Sequence, residues 1–121
     1  MPLQKRINSF RFAFQGLIDL FRTQPNARIH LAAAAMAVLA GLFFDISALE
    51  WAAVSICIAL VLALEALNTA LEYLTDLVSP DHHPLAGKAK DVAAAAVLIG
   101  AAGAAITGII IFLPKIFALA P

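Results

Sequence analysis

Apolar residues fill three long stretches of this chain, and the polar residues between them come in short groups. Residues 6–23, RINSFRFAFQGLIDLFRT, alternate basic and apolar positions at helical spacing. Phe10, Phe14, Leu17 and Phe21 fall on one side of such a helix, with Ile7 nearby. This pattern predicts an amphipathic helix lying on a membrane surface with its arginines toward the headgroups. The alternative is a solvated helix packed on the rest of the protein. Pro25 and Asn26 then punctuate the chain. Ile29–Phe44 is apolar except for His30 and rich in alanine, and Asp45 and Ser47 interrupt it. A first span is expected over 26–46. A second helix, 50–78, opens with the clean run WAAVSICIALVLAL and carries acids in its other half. SPDHHP, residues 79–84, is a turn bracketed by prolines. A third helix, 86–113, holds no charge from Val92 to Leu113. That run spans a hydrocarbon core of roughly 30 Å.

Composition supports lipid as the solvent. The chain has 121 residues, 63% hydrophobic and 13% charged, with a mean hydropathy of +0.93. A soluble domain this small buries only about 60–70% of the surface its unfolded chain exposes, too little to hide so much apolar area. The fold expected is all-α and integral to the membrane: three transmembrane helices plus an N-terminal surface helix in a single domain. Net charge is zero, which gives no bulk attraction to nucleic acid. Cys57 is the one cysteine, so an internal disulfide and a cysteine zinc site are excluded, and it reads as a small packing residue. The first 22 residues set basic side chains among aromatics and lack the long apolar run of a cleavable signal.

Orientation follows from lysine and arginine. Five precede Ile29, none lies in the first loop, Lys88 and Lys90 follow the second turn, and Lys115 stands near the C-terminus. This puts the N-terminus and the second loop in the cytoplasm. Three helices make a thin bundle, and intramembrane acids avoid lipid by facing protein or water. A homo-oligomer would shield them. Gly100, Gly103, Ala104 and Gly108 offer close-packing positions for it.

The acids carry the chemistry. Glu65, Asn68, Glu72 and Asp76 fall within about 80° of one another at 100° per residue. They form one stripe about 16 Å long, and Lys90 and Asp91 open the next helix on the same side of the membrane. Oxygen ligands suit magnesium, which binds through one or two carboxylates plus phosphates. A lysine suits phosphate charge. A deeper carboxylate could take a proton from a hydroxyl, and Glu65 is the deepest of the set. The combination suggests phosphoryl transfer from a nucleotide to a membrane alcohol. Two alternatives stay open: an ion or proton pathway in a small oligomeric channel or transporter, and structural pairing of the acids with Lys88, Lys90 or Arg28. GKAKD lacks the P-loop framework, and the Gly-rich loop, HRD and DFG signatures of protein kinases are missing.

EALNTALEYLTDLV followed by HPLAGKAKDVAAAAVL closely resembles the prokaryotic diacylglycerol kinase family, which includes the undecaprenol kinases. Family members carry E-x-x-N-[ST]-A-x-E-x-x-x-D, then a short loop and A-K-D at the next membrane helix. SFRFAFQGL and RIHLAAAAMAVLAGLFFDISALEW are similar too, so the resemblance covers nearly the whole chain. It implies a small homotrimeric kinase of the bacterial plasma membrane that transfers the γ-phosphate of ATP to a lipid hydroxyl with magnesium. It implies that Glu65 is the catalytic base, against the lipid substrate, that Asn68 orients the base or substrate, and that Glu72 is a metal ligand. Asp76, Asp81, His82, His83, Lys90 and Asp91 would contact nucleotide. Lys5 and Phe12 match the family's N-terminal nucleotide contacts, a basic residue and an aromatic. One departure concerns the metal site: the family's second metal-binding glutamate falls on Gln24, whose neutral oxygen would weaken binding unless Asp76 compensates.

NARIHL and DHHPLAGKAKD look closer to the undecaprenol branch than to the diacylglycerol branch. Both substrates are primary alcohols at the interface, so site chemistry does not separate them. His82 and His83 are adjacent in a loop and share no helical face, which favours nucleotide contact over zinc. His30 reads as a polar interfacial residue. Trp51 is expected to anchor the outer interface.

Overall fold

The computed structural model describes residues 2–121. Four helices carry the chain: α1 (Pro2–Thr23), α2 (Pro25–Phe44), α3 (Ala48–Val78) and α4 (Pro84–Phe117). The last three are long and apolar enough to cross a membrane. The protein is all-helical, with three spans and a fourth helix at the N-terminus.

Each helix boundary has a local cause. Gln24 alone separates α1 from α2. Its backbone is extended (φ −110°, ψ 106°), as steric conflict with the following proline ring requires. Pro25 then starts α2 at the position where a missing N–H costs nothing. At the other end of α2, Asp45 takes a left-handed conformation (φ 48°) and its N–H returns to the carbonyls of Gly41 and Leu42. Ser47 opens α3 with a reciprocal cap: its hydroxyl accepts from the Glu50 N–H, and the Glu50 carboxylate accepts from the Ser47 N–H. This satisfies two of the otherwise orphaned donors. His83 caps α4, its Nδ1 accepting from the Leu85 N–H at 3.1 Å. That cap starts α4 at Pro84, two residues ahead of the sequence expectation.

The far end of α4 also exceeds the expected span, running through Pro114 to Phe117. Lys115 explains part of this. Its ammonium donates to the Ile111 carbonyl at 3.1 Å and to Glu50 Oε2 at 2.7 Å. A cation here complements the negative end of the helix, and the ion pair ties the last turn of α4 to the first turn of α3. Lys115, isolated in the sequence, is thus a cross-helix partner.

Packing is tightest at this same end. Ile46, Val54 and Ile111 form a buried cluster, with Phe44, Trp51 and Phe112 packed against it. α3 lies along α4 over most of its length, α2 packs on α3, and α1 touches α2 and α3 more lightly. Many large apolar side chains face outward, among them Leu39, Phe43, Ile56, Ile99 and Ile110. Such a surface suits hydrocarbon, where helices already satisfy their own backbone groups. On α1, Phe10 and Phe14 are exposed while Leu20 is buried against the bundle.

Two glycines differ in what they permit. A Cβ on Gly41 would come within 2.6 Å of the Trp51 ring and 3.1 Å of Ile46 Cδ1. Trp51, in the first turn of α3, is therefore half-buried against α2 as a packing residue. A Cβ on Gly100 would meet only the tip of Leu64, at 2.6 Å. Gly41→Ala is expected to destabilise the protein by about 1–3 kcal/mol, because a rigid indole must move. Gly100→Ala should cost much less, since a leucine tip can rotate. Thermal unfolding of both variants in detergent checks the contrast.

Candidate active site

The stripe on α3 is graded from dry to wet. Glu65 is 2% exposed and Asn68 9%. Glu72 is half-buried and Asp76 exposed. The helix sets this order, since each residue lies a turn or so beyond the last along one face. Bundle packing shields the deep members and leaves the shallow ones free.

Three contacts organise the stripe. Asn68 Nδ2 donates to Glu72 Oε1 at 3.3 Å, fixing the carboxylate one turn on. Lys90, from the second turn of α4, forms an ion pair with Asp76. This is one of the pairings left open from sequence. His30, from α2, brings Nε2 to 3.7 Å from Glu65 Oε2. Among the described residues, two buried oxygens have no hydrogen-bond partner: Asn68 Oδ1 and Thr69 Oγ1. Buried polar groups are normally satisfied, so these acceptors are open to a bound molecule or a neighbouring subunit.

A second network joins α1 and α2 to α3 beside Glu72. The Tyr73 hydroxyl donates to Asp19 Oδ2 at 2.8 Å and lies 3.3 Å from Thr23 Oγ1. Gln24 Nε2 donates to Thr23 Oγ1 at 3.3 Å. With its nitrogen engaged there, Gln24 keeps its amide oxygen as an acceptor. Glu72 and Gln24 thus offer one carboxylate and one neutral oxygen. Among the described residues no group of three or more His, Cys, Asp or Glu side chains could hold a metal ion. One carboxylate and one neutral oxygen would suit a magnesium ion only if most of its ligands came from outside the chain.

The remaining sequence candidates lie apart from these contacts. Asp81, His82 and His83 sit exposed in the turn between α3 and α4, and Asp91 is exposed on α4. His83 spends Nδ1 on its helix cap, which leaves Nε2 as its outward group. Lys5 and Phe12 are exposed on α1, and neither touches the stripe.

Above Glu65, a cavity of about 330 Å³ opens between α2, α3 and α4. His30 lines it, and so do Ala34, Val61, Ala104 and Phe112. Its walls are almost wholly apolar. A buried carboxylate one helical turn from a hydrocarbon-lined cavity, with charged groups beyond it, can meet a polar head and an apolar tail together.

Sequence reasoning did not find three of these participants. His30, Asp19 and Tyr73 act across helices, and their own spacing reveals no partner. One signal was available for His30: it is the single polar side chain in the first apolar stretch.

The fold and the site define a small multi-pass membrane protein built around a buried acid. The profile of the prokaryotic diacylglycerol kinase family matches residues 11–112. The undecaprenol kinase of Bacillus subtilis (strain 168) is 40% identical over 114 residues, covering 94% of this chain and 93% of that one. The diacylglycerol kinase of Synechocystis sp. is 41% identical over 112 residues, 92% of this chain and 64% of that one. The diacylglycerol kinase of Escherichia coli (strain K12) is 31% identical over 101 residues, 84% and 83% of the two chains. This chain belongs to the prokaryotic diacylglycerol kinase family, and that membership puts it among the lipid kinases.

The network around Tyr73 makes a specific claim about α1. Tyr73→Phe should cost about 0.5–1.5 kcal/mol, the net worth of an ordinary hydrogen bond. Amide hydrogen exchange should accelerate around Asp19–Gln24 and stay unchanged along α4.

Proposed function

We propose that the protein phosphorylates the hydroxyl of a membrane lipid alcohol, undecaprenol or diacylglycerol, with ATP as donor and magnesium as cofactor. The reaction takes place at the cytoplasmic face, with the N-terminus cytoplasmic. The observation that carries this reading is the buried carboxylate of Glu65, one helical turn from Val61 of an apolar cavity and facing His30 of its lining, with Glu72, Asp76 and Lys90 toward the wetter end. Family membership supports the reaction class.

On this reading the alcohol's hydrocarbon tail enters the cavity and its hydroxyl reaches Glu65. Glu65 takes the hydroxyl proton as the oxygen bonds to the γ-phosphorus. The bond from that phosphorus to the β–γ bridging oxygen breaks, and ADP leaves. Asn68 holds Glu72 in position through their hydrogen bond. Glu72 and the Gln24 oxygen would hold magnesium, which would supply charge neutralisation for the nucleotide's phosphates. Lys90 rests against Asp76 until nucleotide arrives, and a phosphate then competes for its ammonium. The open loop with Asp81, His82 and His83, and the exposed Asp91, lie on the side from which nucleotide comes, as do Lys5 and Phe12. Positioning and electrostatics do most of the work in such a transfer. A homotrimer would cover the lipid-exposed flank of the site and supply partners for Asn68 Oδ1 and Thr69 Oγ1.

The decisive assay follows phosphate from labelled ATP, with magnesium, into undecaprenol or diacylglycerol in mixed micelles. Labelling of either alcohol is expected, and the preferred one names the substrate. Folded protein that labels neither would sink the proposal. Glu65→Gln should lower kcat by about 10²–10⁴-fold, the usual contribution of a general base, with nucleotide binding nearly intact. Glu72→Gln should raise the magnesium concentration needed for half-maximal rate, because a carboxylate ligand becomes a neutral one. An unchanged magnesium dependence would argue against Glu72 as a ligand.

A further inference from the structure

Burial of the Glu65 carboxylate needs a compensating group. Taking an ion out of water costs several kcal/mol unless it is paired. Among the described residues the pairing options are few. Lys90 pairs with Asp76, and Lys115 pairs with Glu50 at the other end of the bundle. The Asn68 amide donates to Glu72. The basic group within ion-pair distance of Glu65 is His30, at 3.7 Å.

His30 differs from Glu65 in its access to water. Its side chain is 21% exposed against 3% for the carboxylate. It stands in the second turn of α2, about 8 Å along the axis from Pro25, close to that helix's polar start. Among the described residues it makes no hydrogen bond; Nε2 faces Glu65 at 3.7 Å. The groups around it are otherwise inert. From α3 it faces Glu65 and, across the cavity, the Cys57 thiol; from α4 the cavity receives alanines, Gly108, Thr107 and Phe112, none charged. On α2 itself the nearest charge is Arg28, which is exposed. Imidazole is the side chain best suited to gain and lose a proton near neutrality.

We propose that His30 is the proton partner of Glu65, holding the carboxylate ionised before transfer and carrying its proton out to water afterwards. The step rests on the reading of Glu65 as base and balances without further reactants. Before transfer the pair is imidazolium and carboxylate. The substrate hydroxyl gives its proton to Glu65 as its oxygen bonds to the γ-phosphorus and ADP departs. The imidazolium releases its own proton to water at the exposed edge of the ring. Neutral His30 then takes the proton from Glu65, which restores the starting pair. One proton leaves per phosphate transferred. The 3.7 Å separation shortens as substrate closes the site, since such contacts are often long in the empty state. His30 is a positioning residue in this scheme, because it acts through Glu65 and not on the substrate.

The test uses full-length protein in mixed micelles with magnesium, ATP and the alcohol that the wild type labels. His30→Gln, His30→Ala and Glu65→Gln are compared with wild type at equal amounts of folded protein, verified by thermal unfolding. His30→Gln is expected to lower kcat about 10- to 100-fold, short of the loss for the base itself, with the KM for ATP unchanged. Its pH–rate profile should differ from that of the wild type, because the group that relays the proton is gone. Added imidazole should restore part of the activity of His30→Ala, since the cavity left behind can admit the ring. If His30→Gln keeps wild-type kcat and pH profile while Glu65→Gln is inactive, the proton-partner role is overturned and the base stands. A rate loss with an unchanged pH profile and no imidazole rescue also overturns it, leaving His30 a merely structural part. If Glu65→Gln retains wild-type turnover, the base reading itself fails, and this proposal with it.

Discussion

A carboxylate held at 2% exposure among apolar helices sets the terms for the rest of this protein. Glu65 cannot face lipid, so α3 must turn its acid stripe toward α2 and α4. That orientation determines which residues line the cavity and which side of α4 approaches Asp76. The stripe is tolerable because it is graded. Only its deep end is dry, and there a histidine stands opposite. The shallow end, where Lys90 meets Asp76, exchanges freely with water, and surface pairs of this kind are individually weak. They can therefore be opened at little cost.

The two ends of the bundle divide the labour. One end is locked by the Ser47–Glu50 cap, the Glu50–Lys115 pair and the close fit of Trp51 on Gly41. The other is held by polar contacts, most of them between exposed or half-buried side chains, such as Asn68 with Glu72, Tyr73 with Asp19 and Lys90 with Asp76. On the proposed reading this end admits both a nucleotide and a lipid, which exposed, exchangeable contacts allow. Local stability commonly runs lowest where ligands enter.

Much of this was legible in the residues. Period and length alone gave the three spans and the N-terminal helix. The spacing of Glu65, Asn68, Glu72 and Asp76 placed them on one face before any coordinates. What stayed hidden was contact between helices. Nothing in the spacing of His30 says which helix stands opposite, or at what depth. The same holds for Asp19 with Tyr73 and for Lys115 with Glu50, more than fifty positions apart in each case. Helix periodicity fixes direction around an axis and says nothing of register between axes. The ends of α4 were misjudged for a local reason. A histidine cap extended one end and a lysine bonded to a carbonyl extended the other.

The depth of Glu65 has a consequence for fidelity. A kinase that activates a hydroxyl also risks activating water, which is smaller and far more abundant, and thereby discarding ATP. Glu65 lies about 10 Å further along α3 than Glu72, below the level at which solvent reaches the stripe. On the proposed reading, the nucleophile must be delivered from the bilayer side, tethered to a tail that fills the cavity. Water that enters without such a tail finds little polar surface to hold it. The hydrophobic position that makes this acid costly to bury is thus the same one that keeps futile hydrolysis low.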